Sequence, residues 1–320
     1  MLQYTSRRVL LFIPTIFLAT IMVFALFWII PGDAAMMILT GDEGDGGRVG
    51  NDELEALRHE LGLDRPIHIQ YGTWVWDLLR GDLGTSLWYR DSVGDELIAR
   101  FPITLELAVV AMFMAIVAAV PLGIISAVKQ DSALDYASRI FALIGIAMPS
   151  FWIAILMIAA LAYTFGWLAP LGYANIWEDP FTNLQQIFFP ALALAFHDMA
   201  FTARVTRSSM LEVMREDYMR TARSKGLHEM VVVGRHALKN AILPVITISG
   251  YQFGRLLGGV IITEVIFVVP GVGTYLVDAI IHRDFVVLQG IILLTAALIL
   301  VVNLGIDLMY GIIDPRIRYG

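Results

Sequence analysis

Long apolar runs alternate with short polar intervals along this chain. Six of the runs, at residues 9–30, 103–128, 136–165, 188–205, 242–268 and 285–313, are long enough to cross a membrane as helices. A hydrocarbon core takes roughly 20 helical residues at about 1.5 Å rise each. The pattern therefore predicts an all-α polytopic membrane protein with six transmembrane helices. Only the connection at 32–101 is long enough to fold separately, which gives three parts: residues 1–31 with the first span, 32–101 as an external subdomain, and 102–320 with spans two to six. No internal repeat of solenoid length is visible, and no soluble domain is expected after the sixth span.

The polar intervals carry patterns of their own. The run Gly41-Asp42-Glu43-Gly44-Asp45-Gly46-Gly47 is acidic and glycine-rich, reads as a solvated loop, and lacks the ligand spacing of an EF-hand. Beyond it, Asp52 caps a predicted helix with leucines at 54, 57 and 61, which Gly62 ends; a second amphipathic segment covers 69–79. Trp74, Trp76 and Trp88 in this region suit interfacial anchoring, packing on the spans or ligand contact. The connection 166–187, with Pro170, Gly172, Asn175 and Pro180, reads as irregular.

The interval 207–241 is the most informative. Met210, Met214, Tyr218 and Ala222 recur every fourth position with Leu211 beside them, which predicts one continuous helical face. Glu212, Arg215, Glu216, Arg220 and Arg223 fall largely on other faces. Gly226 ends that helix, and a second run begins near His228 and reaches Ala241. Two short helices meeting at a glycine form a compact projection. Its apolar side suits a groove on a partner protein rimmed by cations, or an anionic lipid surface.

Composition agrees with the span pattern: 58% of the 320 residues are hydrophobic and 16% charged, far from the make-up of soluble domains. Charge then sets orientation. Arg7 and Arg8 precede the first span, which places the N-terminus in the cytoplasm and, with six spans, the C-terminus with Arg316 and Arg318 beside it. The 207–241 interval has seven Lys/Arg against four Asp/Glu and falls inside; residues 32–100 have six Arg against fourteen Asp/Glu and fall outside. The overall charge of −7 thus belongs to the external segment and argues against nucleic-acid binding. Ser6-Arg7-Arg8 partly resembles a twin-arginine export signal, but the apolar stretch behind it is long enough to remain as an anchor. There is no cysteine, so disulfides and thiolate chemistry are excluded.

Missing motifs narrow the function. A phosphate-cradling loop needs Gly-Lys-Ser/Thr, yet the three lysines, Lys129, Lys225 and Lys239, follow Val128, Ser224 and Leu238. A zinc helix needs His-Glu-x-x-His, and Leu63 and Val232 stand where the second histidine belongs. The chain is not expected to be an enzyme by itself or to hold a metal or cofactor. If ATP drives transport, another polypeptide hydrolyses it.

The stretch Asp217-Tyr218-x-Arg220-Thr221-Ala222-Arg223-x-Lys225-Gly226, followed at a fixed interval by Leu243-Pro244, resembles the coupling loop of ABC importer permeases. It is most similar to the dipeptide/oligopeptide (peptide/nickel) family, in the subgroup of its first, B-type, permease subunit. Where the general importer pattern has Glu-Ala-Ala, this chain has Arg220-Thr221-Ala222, a departure typical of the peptide subfamily. Glu60-Leu61-Gly62-Leu63-Asp64-Arg65-Pro66, Gly81-Asp82-Leu83-Gly84-Thr85-Ser86, Thr104-Leu105-Glu106-Leu107, Thr206-Arg207-Ser208-Ser209-Met210, Pro270-Gly271-Val272-Gly273 and Asp314-Pro315-Arg316 extend the resemblance along nearly the whole chain.

The resemblance implies a type I importer permease fold in a bacterial or archaeal cytoplasmic membrane. It implies a second homologous permease, two cytoplasmic ATPase subunits that hold ATP and magnesium, and an external solute-binding protein. Met214, Asp217, Tyr218, Arg220, Thr221, Ala222, Arg223, Lys225 and Gly226 would couple to the ATPase, with Gly226 as the turn and Pro244 in the first turn of the fifth span. Alternating access would follow from motion of the coupling helices. The cargo is expected to be di- or oligopeptides or peptide-like solutes, with nickel, haem, glutathione or sugar as same-family alternatives.

Charges inside the spans need partners, because an unpaired one costs at least about 2.5 kcal/mol at the membrane centre. Glu106, His197, Asp198, Arg255, Glu264 and Asp307 fall in or near spans. Glu106 and Glu264 sit near external span ends, where a structural role suits them. Asp198 and Arg255 are candidates to pair beside the translocation path, with His197 and Glu264 also candidate path residues; contact with a partner permease or ligand is the alternative. A stand-alone secondary transporter would also place charges at mid-membrane, but would show paired repeats and broken helices that are not visible here.

Overall fold

The computed structural model describes residues 2–29, 35–36, 50–60, 62–170 and 172–313; the glycine-rich run at 41–47, Leu61, Asp314-Pro315-Arg316 and Arg318 lie outside the described residues. Among the described residues, the regular structure besides helix is one isolated bridge between Thr85 and Ser92. In chain order the helices are α1 (Leu2–Ile29), α2 (Asn51–Glu60), α3 (Ile67–Leu79), α4 (Val93–Val128), α5 (Ala133–Ala147) and α6 (Ser150–Phe165). There follow α7 (Pro180–Met214), α8 (Asp217–Ser224), α9 (Glu229–Gly259), α10 (Ile261–Phe267), α11 (Val272–Ile281) and α12 (Phe285–Ile313).

Five of these, α1, α4, α7, α9 and α12, are long and apolar enough to cross a membrane, and two pairs bend sharply: α5/α6 by 104° and α10/α11 by 90°. Residues 136–165 are therefore not one straight span. Pro149 donates no backbone hydrogen bond and drives Met148 into extended geometry at ψ 128°, so the helix stops and restarts. The segment 242–268 is likewise divided. Its first part belongs to α9, which begins thirteen residues earlier at Glu229, and its second is α10, which ends at Val268 in left-handed geometry (φ 56°). Pro270-Gly271 then turns the chain into α11, an element the hydrophobic pattern did not announce.

The fourth span is also longer than hydropathy suggests. Asp179 caps it through the backbone N–H of Thr182 at 3.1 Å, with Pro180 in the first turn. Its early polar residues are buried and hold the preceding connection: Asn183 Nδ2 donates to the Ala174 carbonyl at 3.0 Å, and Gln186 Nε2 to that of Gly172 at 3.0 Å. Polar side chains that fasten a loop read as loop in a hydropathy profile. Similarly, Ser92 caps α4, which starts at Val93, ten residues before the expected 103. On α2 the helix begins at Asn51, so Asp52 lies inside its first turn instead of capping it.

Helices α4 and α7 form the axis of the bundle. Ala111, Ala115, Ala119, Gly123 and Ala127 recur every fourth residue on α4 and are all buried, against Ala191, Ala195 and Ala203 of α7. Small residues let two helices approach closely where lipid supplies no hydrophobic drive. At Gly123 the approach is closest: a Cβ there would lie 2.5 Å from Thr206 Cβ and 2.7 Å from the Ala203 carbonyl. Around the axis, α1 runs along α12, fixed by the Phe27–Phe285 rings at one end and the Arg8–Asp307 ion pair (2.8 Å) at the other. Helix α3 leans on α1 through Tyr71 and Trp74 against Phe24, and Trp88 stacks on His282 at 4.3 Å. Trp76 stays exposed beside Arg80.

Candidate functional site

Helix α8 projects at one end of the bundle, between α7 and α9. The four-residue period from Met210 to Ala222 does not run on one helix: α7 stops at Met214, Arg215 and Glu216 turn the chain, and α8 starts afresh at Asp217. That break shifts the phase, so the inward residues of α8 are Met219 and Ala222, and Tyr218 is 41% exposed. Met219 is the residue the period missed. With Met210, Ala127, Val232, Ala237 and Ala241 it forms a small core, and half-buried Met214 packs against it. The apolar side of the projection is thus used to seat it on its own chain.

What α8 presents outward is polar. The Asp217 side chain is almost wholly exposed and that of Arg220 largely so, the two lie 3.4 Å apart, and Thr221 and Lys225 are exposed as well. Arg223 is not a free rim cation, because its guanidinium holds Glu229 at 3.0 Å across the turn. Tyr218 accepts a hydrogen bond from Asn240 Nδ2 at 2.8 Å, which ties α8 to α9. Gly226 has φ 75° with open space around it, so glycine is required by backbone conformation and not by crowding. Exposed Met230 and Leu227 add an apolar edge beyond the turn.

The second run begins at Glu229 after a His228 cap and does not end at Ala241; it continues through a π turn, Val232–Ala237, into the membrane helix. Val232 and Ala237, the two ends of that turn, are both buried. Pro244 consequently stands in the interior of α9, not in its first turn. It leaves the Asn240 carbonyl without a helical donor on an exposed face.

Sequence reasoning also missed a latch at the root of this projection. Arg207 on α7 donates Nε and Nη2 to the two carboxylate oxygens of Asp135 at 2.7 and 2.8 Å. Asp135, fully buried at the start of α5, also accepts from Ser126 Oγ at 2.5 Å and from the Asp131 N–H at 3.1 Å. Four donors converge on one carboxylate, and α4, α5 and α7 are locked together. Arg207 stood in a family motif; Asp135 gave no sequence signal beyond its place in a polar interval.

Among the intramembrane charges, Arg255 Nη2 meets Asp198 Oδ1 at 2.5 Å between α9 and α7. Asp198 is fully buried, its other oxygen has no partner among the described residues, and the Arg255 side chain is 52% exposed. Beside them, Thr202 Oγ1 donates to Gln252 Oε1 at 2.8 Å. His197 is half-buried and makes no hydrogen bond to the pair.

Glu264 belongs elsewhere. Fully buried, it accepts from Thr104 Oγ1 (2.6 Å) and from the N–H groups of Gly273 (2.7 Å) and Thr274 (3.2 Å), so its carboxylate caps α11 and sets the 90° turn. A Cβ on Gly271 would meet that carboxylate at 2.3 Å. Glu106 accepts from the Tyr173 hydroxyl of the 166–179 connection.

Five membrane-length helices, two bent pairs and a short helix seated between α7 and α9 define an integral membrane permease. The chain belongs to the family described as binding-protein-dependent transport system inner membrane component, whose pattern matches residues 119–319, with the family's N-terminal component matching residues 1–108. It is 41% identical to the dipeptide transport system permease protein DppB of Alkalihalophilus pseudofirmus, covering 100% of both chains. It is 40% identical to DppB of Escherichia coli, covering 100% of this chain and 99% of that one. Among solved structures, the inward-facing MetNI methionine ABC transporter matches with a TM-score of 0.56 at 17% identity, over 68% of this chain and 96% of that one. That match speaks for the fold.

Proposed function

We propose that this chain is one of two permease subunits of an ATP-driven importer of di- or oligopeptides. The cargo reading rests on full-length similarity to permeases named for dipeptide transport. The observation that carries the coupling role is α8 itself: it is anchored inward by Met219 and Ala222 and offers Asp217, Arg220 and Thr221 outward. A short helix seated on its own core and polar on its far face suits a socket on a second protein. An ATPase subunit holding ATP and magnesium is that partner, and this chain binds neither.

In this reading the α8 end and both termini are cytoplasmic, as the excess of Lys/Arg in 207–241 favours. A second, different permease completes the path, and an external binding protein docks at the opposite end. Closure of the ATPase pair moves α8. The Asp135–Arg207 latch passes that motion to α5 and α7, and the Asp198–Arg255 pair lies where α7 meets α9. A half-exposed guanidinium there is costly against lipid, so it faces the path or the partner permease.

The test is purification with the co-expressed neighbouring subunits in nanodiscs. An ATPase should co-purify, and binding protein plus dipeptide should raise hydrolysis several-fold. Solute uptake by the chain alone on an ion gradient would refute this reading.

A further inference from the structure

At the α8 end, a cavity of about 330 Å³ opens between α4, α5 and α7. Its floor is apolar, from Leu122, Ala142 and Ile146, and Arg139, Arg204 and Ser208 line it as well, all three exposed to solvent. Arg207 also borders it, but Asp135 already occupies that guanidinium. Arg139 and Arg204 have no carboxylate within 4.0 Å among the described residues. Instead, each guanidinium is laid over an aromatic ring of its own helix: Arg139 over Tyr136 at 5.5 Å and Arg204 over Phe201 at 5.2 Å. The rings restrain both cations, which lowers the entropy lost when an anion arrives.

We propose that this cavity binds the phosphate of an anionic phospholipid, with its acyl chains over the apolar floor. The outer face of α5 argues for lipid as the source of the phosphate. Tyr136, Ile140, Leu143 and Ile144 are all exposed there at helical spacing, an apolar stripe suited to bilayer contact, and Leu143 belongs to both the stripe and the cavity wall. The cavity is therefore continuous with the lipid surface. A basic recess between membrane helices at the cytoplasmic side is the arrangement that recognises anionic headgroups. The site rests on the proposed orientation, which puts it in the cytoplasmic leaflet. Because Asp135–Arg207 forms one wall, a bound lipid would brace the root of α8.

The assembled transporter is purified in zwitterionic detergent and its thermal unfolding followed during titration with phosphatidylglycerol, phosphatidylcholine, inorganic phosphate or glycerol 1-phosphate. Wild type should show a saturable upward shift with phosphatidylglycerol and none with the others. The R139Q/R204Q variant should need on the order of thirtyfold more phosphatidylglycerol, from two lost headgroup contacts. Ser208→Trp, which fills the mouth and keeps both charges, should lose the response too. An unchanged response in both variants would overturn the site, and an equal shift with the soluble phosphates would overturn lipid as its occupant. The orientation is tested separately, by an impermeant maleimide on Ser208→Cys in this cysteine-free chain. Labelling only from the cytoplasmic side supports the leaflet assignment; labelling from outside overturns the leaflet and orientation together.

Discussion

Removing Arg207 should loosen the bundle at the root of α8, by an amount the geometry bounds. Asp135 has no solvent contact and receives four hydrogen bonds, two of them from Arg207. Arg207→Ala leaves the carboxylate with Ser126 and the Asp131 N–H alone. Breaking a buried pair costs about 3–5 kcal/mol, but this one sits near the end of the bundle and Arg207 keeps 20% side-chain exposure. Water nearby lowers the expected loss to about 2–3 kcal/mol. Asp135→Ala should cost about 1–2 kcal/mol, because the freed guanidinium can turn to solvent. If the two act as a latch, the double variant loses far less than the sum, with a coupling energy of about 1.5 kcal/mol. Equilibrium unfolding in mixed micelles measures all four corners of the cycle. Additive losses, with coupling below about 0.5 kcal/mol, would refute the latch.

Other perturbations test other parts of the structure. Reversing Asp198 or Arg255 alone should impair uptake in proteoliposomes, whereas the double reversal should restore much of it; two independent defects would separate the residues. Gly123→Val forces a Cβ against the Ala203 carbonyl and Thr206. It should destabilise the α4–α7 axis by about 1–3 kcal/mol, read as a lower unfolding midpoint. Gly226→Pro cannot adopt φ 75°, and Arg223→Glu turns the contact with Glu229 into repulsion. Both should leave membrane insertion intact and lower solute transported per ATP; an unchanged ratio would remove α8 from the coupling route.

Much of the architecture was legible because lipid makes hydropathy a direct readout of helices. The spans at 103–128 and 285–313 lie within helices the structure contains, and α1 covers residues 9–29 of the first span. What hydropathy blurred were places where polar or special residues do structural duty inside the membrane-facing part. Asn183 and Gln186 lengthen α7 while holding a loop, Pro149 bends one span, and Pro270-Gly271 with Glu264 turns another. At α8 the residue types were legible and the phase was not. A two-residue break at Arg215-Glu216 exchanges Tyr218 for Met219 on the inner face, and a four-residue count cannot see a break that contains no glycine or proline. The Asp198–Arg255 contact was suggested by the cost of lone charges. The Asp135–Arg207 contact lies at a span end, where charges are common and no such cost singles them out.

The central claim is that α8 is the surface an ATPase grips, and Arg220 is its most direct reporter, with 77% of its side chain exposed. The chain has no cysteine, so Arg220→Cys can carry a single benzophenone maleimide, with Tyr163→Cys, 93% exposed on α6, as the control. Photolysis of the assembled transporter should join residue 220, and not residue 163, to the ATPase subunit, with a yield that changes on ATP binding. Equal yields at both positions, or none at 220 in a transport-competent complex, would contradict the account.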